Sequence, residues 1–342
     1  MKIHYQYSTV KTFRPTKGDY INEHNTLLAL SIFNKVYFSG SRVFADKKTF
    51  NPPKNYPETI VTRCLASEYD AYIIRANAKL FRAINSKNKF WIASPYNKRC
   101  FEEAKAIITF TKAWEDTLRK GIQCSLNPDG IKYKNVITFH QTINPAFKPL
   151  QSHEKTKRIR KSFGGEFIIG YLGKIKTSDK YLSFIRVINR VKEKYPGVKF
   201  VVGSTNKIVD SEGVFSSKFN YFDIPYVISA CDLTISDGAS ALGGKLKTLE
   251  SMACGVPIIS PRYRKEQLGK KYPLLYDRER SDTNKNLLSE KSEEQIYQII
   301  INSIENPRFV KNQSRYLLKK SKFYSLKESS ERLRNDLERL VE

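Results

Sequence analysis

The sequence predicts an α/β chain built as two doubly wound domains, and three observations lead there. Apolar β-runs alternate with helical stretches along most of the chain, the pattern of a parallel sheet with crossover helices. Its 342 residues are enough for two domains of roughly 150–170 residues, each with its own core. Residues 151–165 are polar, basic and close on Gly164-Gly165, as an interdomain linker would. The expected division is therefore 1–150, a linker 151–165, a second domain 166–323 and a C-terminal helix 324–342.

Taken in order, Lys2–Tyr7 reads as a first strand, followed by a polar, glycine-containing loop through Gly18, a helix Ile21–Phe33 and a strand Lys35–Ser39. Buried strands are expected at Asp70–Arg75, Lys89–Ala93 and Ala106–Thr111, then a helix Lys112–Lys120 and a strand Asn135–His140. Beyond the linker, Glu166–Ile175 (EFIIGYLGKI) is an apolar strand ending in Gly173 and Lys174. A helix Tyr181–Tyr195 and a strand Val198–Gly203 follow, and Asp223–Ser236 reads as a short helix running into another strand. The helix before Gly255 ends on glycine with Pro257 behind it, and Ile258–Ser260 resumes the β pattern. Ser325 and Glu328 form a capping box, with Leu333, Leu337 and Leu340 at helical spacing behind it.

Composition narrows the class. Forty per cent apolar residues, including 20 Phe, 20 Tyr and 2 Trp, describe a globular chain. No apolar run reaches the ~18 residues of a membrane span, and the N-terminal stretch has no signal-peptide core, so the expected setting is cytoplasmic. The five cysteines are scattered without a CxxC pair and read as reduced, buried residues rather than a metal site or a disulfide framework. A P-loop, a GxGxxG after the first strand and a GxSxG elbow are all missing, which argues against nucleotide hydrolysis, dinucleotide redox chemistry and serine-nucleophile catalysis. The net charge of +26 calls for an anionic partner, and it is even: 24 basic against 11 acidic residues in 1–150, and 36 against 23 in the remainder. Local basic clusters lie at Lys155–Lys161, Arg262–Lys271 and Arg315–Lys322.

The segment Lys245–Ser260, KLKTLESMACGVPIIS, carries the most chemistry. Lys247 precedes Glu250 by three positions, which places both on one helix face. Gly243 and Gly244 lie just before that helix, where free backbone N–H groups and the helix dipole favour a phosphate. Gly244, Lys247, Glu250, Met252, Ala253, Gly255 and Pro257 together resemble the nucleotide-sugar site of family-4-type retaining glycosyltransferases (glycosyl transferases group 1). Asn144, Pro145, Phe147 and Pro149 are similar to the end of the N-terminal domain in that family, and residues 223–236 to its segment before the donor site.

The resemblance implies two Rossmann-like domains facing a central cleft, the GT-B fold, with the last helix crossing back onto the first domain. It also implies transfer of a sugar from a UDP- or GDP-linked donor to the hydroxyl of a glycan or lipid-linked glycan, with retention, no cofactor and no metal. Lys174 and Lys180 would clamp the diphosphate next to Gly173, the Gly243 and Gly244 amides would assist, Glu250 would take the ribose, and Lys247 would support phosphate or glutamate. Two fixed cations would neutralise charge that grows as the sugar–phosphate bond breaks. Two departures bear on this. Leu242 stands where many relatives have a second glutamate, and no histidine follows Lys89–Ala93. Gly18 and His140 are the acceptor-side candidates, with His4 and His24 behind them. The charge fits a peripheral, anionic membrane surface. Transfer to a modified base in DNA and a non-catalytic binding subunit are the alternative readings, and an epimerase lacks its acid–base residues.

Overall fold

The structure, a computed structural model, describes residues 1–7, 18–40, 60–61, 69–75, 78–93, 96–124, 127–172, 179–203, 214–217, 219, 221–236, 246–282 and 287–341. The chain divides into two compact units. One comprises Met1–Thr142 and Tyr324–Glu342, the other Ile143–Ala241 and Lys245–Phe323.

Among the described residues, the first unit is built on one parallel sheet. Its strands are β1 (Lys2–Tyr7), β2 (Lys35–Gly40), β3 (Ile60–Val61), β4 (Ala71–Arg75), β5 (Lys89–Ile92), β6 (Ala106–Thr109) and β7 (Val136–Thr138), in the order β3-β2-β1-β4-β5-β6-β7. Helices α1 (Gly18–Ser31), α2 (Ala78–Ala83), α3 (Lys98–Glu103) and α4 (Lys112–Lys120) connect them. Every residue of β4 and β6 is buried, as expected of strands covered on both faces. β6 is shorter than its apolar run because Thr111 leaves the sheet to cap α4, its hydroxyl accepting from Trp114 N at 3.2 Å. Gly121 closes that helix in the left-handed region at φ 68°, so α4 spans the nine residues its pattern predicts.

The second unit opens with α5 (Glu154–Phe163) and continues β8 (Phe167–Leu172), α6 (Asp179–Lys194), β9 (Val198–Gly203), β10 (Val214–Ser217), α7 (Ile224–Ser229), β11 (Leu233–Ile235), α8 (Leu246–Cys254), β12 (Ile258–Pro261), α9 (Lys265–Leu268), β13 (Leu275–Tyr276), α10 (Glu290–Glu305) and α11 (Pro307–Ser321). Its parallel sheet runs β10-β9-β8-β11-β12-β13. Gly170 pairs with Thr234 across β8 and β11, and a Cβ on it would lie 2.8 Å from the Cys231 sulfur, so the close approach of the α7–β11 corner requires glycine there.

Residues 151–165, expected as a linker, are instead part of this unit. His153 Nδ1 accepts from Lys155 N at 3.1 Å to start α5, and Gly164 ends it at φ 65°. Thr156 and Phe163 are buried, with the Phe163 ring 5.1 Å from that of Phe215. The basic run looked like a solvated connection because its cations dominate the composition. In the fold, Lys155 pairs with Asp223 at 2.6 Å and Arg160 with Asp232 at 2.9 Å.

The final helix, α12 (Leu326–Val341), belongs to the first unit and packs on α1. Leu326, Leu333 and Leu337 are buried in the same core as Ile3, Leu30 and Phe81, and the Ser330 hydroxyl donates to the Ala29 carbonyl. Ser325 Oγ accepts from Glu328 N at 3.3 Å at the start of the helix. Leu337 is fully buried, so Leu337→Ala is expected to cost about 2–5 kcal/mol. Hydrogen exchange should register the loss as weakened protection in α1 and α12, with the α6–α10 region of the second unit unchanged.

Candidate functional site

In a doubly wound sheet, ligands gather beyond the carboxyl ends of the strands where the connection direction reverses. In the second unit that reversal falls between β8 and β11, neighbours whose following segments run in opposite directions across the sheet. The segments that leave these two strands, 173–178 and 237–245, contain Gly173, Lys174, Gly243 and Gly244, all of which lie outside the described residues. Their flanks are described. Lys180 is the second residue of α6, the helix that follows β8, although its side chain is outside the description.

The start of α8 carries the remaining candidates. Lys247 lies in its first turn, with Nζ 5.6 Å from the centre of the Tyr171 ring at the end of β8. This cation–π contact ties the beginning of α8 to the carboxyl end of β8. Tyr171 carried no signal of its own in the sequence, being one apolar-run residue among several. The Thr234 hydroxyl, 3.0 Å from Ser251 Oγ, joins the same helix to β11. Gly255 then ends α8 at φ 69°, and a Cβ there would meet Leu318 of α11 at 3.1 Å.

Glu250, one turn after Lys247, is 8% exposed, and no hydrogen bond to its carboxylate is found among the described residues. Burial pushes its carboxyl up to about 7, with the Lys247 cation pulling the other way. The site thus holds a carboxylate on the edge of ionisation beside a fixed positive charge. A ligand that presents hydroxyl donors to Glu250 would favour the ionised form and release the proton that burial retains. A neutral apolar ligand would leave it protonated.

The first-unit candidates are dispersed. Gly18 is the first residue of α1, in the connection leaving β1. His140 lies two residues beyond β7 instead of ending it, with its ring edge-on to Tyr324 at 5.7 Å. His4 is fully buried in β1, against the rings of Tyr69 at 5.1 Å and Tyr72 at 5.9 Å, so it is a core residue. The side chain of His24 is outside the described residues. Among the described residues, no group of three or more His, Cys, Asp or Glu is placed to hold a metal, and no helix is long and apolar enough to cross a membrane.

No protein-family model matches the chain, and no curated protein matches its sequence. Solved structures do. The chain aligns with a glycosyltransferase from Rickettsia africae at 10% identity and TM-score 0.69, covering 100% of this chain and 98% of that one. It is similar to the Anabaena protein HepE in complex with UDP at 14% identity and TM-score 0.67, over 99% and 100% of the two chains. The sucrose-phosphate synthase of Thermosynechococcus elongatus aligns at 11% identity and TM-score 0.66, over 99% and 98%. These likenesses establish a fold: two Rossmann-like α/β domains, the GT-B architecture of glycosyltransferases.

The position of Glu250 has a measurable consequence for stability. Its folded-state value lies above the ordinary carboxyl range, so its favourable, protonated form is fully present below about pH 4.5 and lost as pH rises through about 7. Ionising it in place costs about 3 kcal/mol. Glu250→Gln is expected to leave stability unchanged at about pH 4.5 and to raise it at about pH 8, flattening the profile between. Denaturant midpoints across that range test this, and parallel profiles for the two proteins would show that Glu250 does not titrate in the interior.

Proposed function

We propose that this chain is a glycosyltransferase that moves a sugar from a UDP- or GDP-linked donor to an acceptor hydroxyl of a glycan or lipid-linked glycan, with retention at the anomeric carbon. One observation carries the reading: Glu250 is a buried carboxylate without a hydrogen-bond donor among the described residues, on a helix that starts against the carboxyl end of β8. Such a group is costly to the fold and becomes favourable only when a ligand donates to it. A ribose diol is a suitable donor, and the diphosphate beyond it would extend toward Lys174, Lys180 and the Gly243 and Gly244 amides.

In this reading the binding half of the reaction belongs to Glu250 and Lys247. Glu250 fixes the nucleoside, and Lys247, held over Tyr171, places positive charge near the phosphates. Lys174 and Lys180 act on the leaving group, whose negative charge grows as the glycosidic bond to phosphate lengthens. A sugar nucleotide in complex with HepE, a protein of the same fold, is in keeping with this class of donor.

Removing the acceptor of the ribose hydrogen bonds through Glu250→Ala is expected to weaken UDP or GDP binding about ten- to a hundredfold, or 1.5–3 kcal/mol. Calorimetry in buffers of differing ionisation enthalpy should also register proton release by the wild type near neutral pH and none by the variant. A folded variant with undiminished affinity would remove Glu250 from the site.

Lys174→Ala and Lys180→Ala are expected to reduce turnover more than donor affinity, because their work is on charge that develops in the transition state. Steady-state donor hydrolysis and transfer, measured over a panel of UDP- and GDP-sugars, tests this. Wild-type turnover in both variants would place the diphosphate clamp elsewhere. Donor binding without any hydrolysis or transfer would instead favour a non-catalytic binding subunit, in keeping with Leu242 at the position of the second glutamate.

A further inference from the structure

Part of the positive charge is taken up in ion pairs once the chain is folded. On α5, Lys155 and Arg160 are paired with Asp223 and Asp232, and Lys157 with Glu154. On α6, Arg186, Arg190 and Lys194 are paired with Glu293, Glu294 and Glu305 of α10. These pairs join α5 and α6 to their neighbours in the second unit, while Arg158 and Lys161 of α5 stay exposed.

On α11 the exposed cations outside ion pairs form a longer row. Arg308, Lys311, Arg315 and Lys319 of this helix, and Lys322 just after it, are all exposed, and among the described residues none is in an ion pair or a side-chain hydrogen bond. At 3.6 residues per turn their spacing confines them to an arc of about 80°, in a straight row about 21 Å long. The opposite face of α11 is the structural one. Leu317 is fully buried there and the helix packs on α8, while Leu318, at the edge of the row beside Lys311, lies against Gly255. The row is extended sideways by a second segment. Tyr316 Oη donates to the Leu268 carbonyl at 2.7 Å and its ring stacks on Tyr272 at 6.0 Å, which brings exposed Lys270 and Lys271 next to α11. Lys270 and Lys271, far from α11 in sequence, therefore lie near its C-terminal half. Phe323, 42% exposed, stands at the end of the row beside Lys322.

We propose that this outer side of α11, with the turn at Lys270 and Lys271, is a docking surface for an anionic phospholipid bilayer. A bilayer offers a plane of mobile phosphodiesters, so a straight row and a neighbouring turn can all meet phosphate together. A duplex offers its phosphates along two grooved spirals that curve away from such a row. An aromatic ring at the rim suits the interfacial zone, where an apolar body is buried beside charged head groups. Like-charged neighbours that repel one another in the free protein gain most from a surface of opposite sign. The inference stands on the placement of these charges and is independent of the donor chemistry proposed above.

The test is a flotation titration of the full chain with vesicles of phosphatidylcholine alone and of phosphatidylcholine containing phosphatidylglycerol. Binding is expected only to the anionic vesicles and is expected to fall steeply with salt. The fivefold variant R308Q, K311Q, R315Q, K319Q and K322Q is expected to lose at least a hundredfold in vesicle affinity, on the scale of a few-fold per cation near the surface. A control variant, K79Q, K87Q, K120Q, K132Q and K134Q, removes the same charge from exposed positions of the first unit and is expected to retain most of it. Circular dichroism and donor binding establish that both variants are folded. Equal losses in the two variants would overturn the proposal in favour of a diffuse charge effect. So would undiminished binding by the α11 variant, no binding to anionic vesicles by the wild type, or a wild type that prefers duplex DNA to anionic vesicles at matched salt.

Discussion

Parallel strands cannot be joined by tight turns, and that constraint organises both units. Each strand must be left at its carboxyl end, carried over a face of the sheet by a crossover, and re-entered at the amino end. All the connections that leave strands therefore gather on one edge, and the edge opens where the winding direction changes. In the second unit β8 and β11 are neighbouring strands, with α6 the next helix after one and α8 the next after the other. The Lys247–Tyr171 contact and the Thr234–Ser251 hydrogen bond hold α8 to the two strands that flank the opening. Placement of Tyr171 and of the start of α8 follows from topology before any particular side chain is considered.

Against that background Glu250 is the exception to local stability. The helix around it is otherwise filled by Thr248, Leu249, Ser251, Met252, Ala253 and Cys254, all buried. A carboxylate in such company is costly unless it is protonated or meets a donor. Lys247, one turn earlier, reduces the cost without removing it, and the carboxyl stays raised to about 7. A core position of this kind is ordinarily filled by an apolar residue of similar size.

Much of this architecture was legible in the sequence because the long elements carry strong local signals. The strand Val198–Gly203 and the helix Lys112–Lys120 coincide with their patterns, since the apolar run and the Thr111 and Gly121 caps act on neighbouring residues alone. The edge strands Ile60–Val61 and Val214–Ser217 were not legible, because runs of two to four residues are defined by the strand beside them and not by a period. α5 was misread for a related reason: its charges find partners at Asp223 and Asp232, far along the chain. In the candidate site, Lys247 and Glu250 were marked by helical spacing. Tyr171 was not, since its role depends on a cation brought over its ring by the fold.

The return of α12 to the first unit has a consequence for the order in which this protein is made. All of the second unit lies between residues 143 and 323, so it is complete in sequence before α12 begins at Leu326. The first unit, although synthesised first, lacks Leu326, Leu333 and Leu337 from its core until then. At ordinary elongation rates this is an interval on the order of ten to forty seconds. During it α1 presents to its surroundings, or to a chaperone, the apolar side that α12 will cover. The N-terminal unit is thus the later of the two to finish folding on the ribosome, and a nascent chain stalled before Leu326 would carry a finished C-terminal unit and an unfinished N-terminal one.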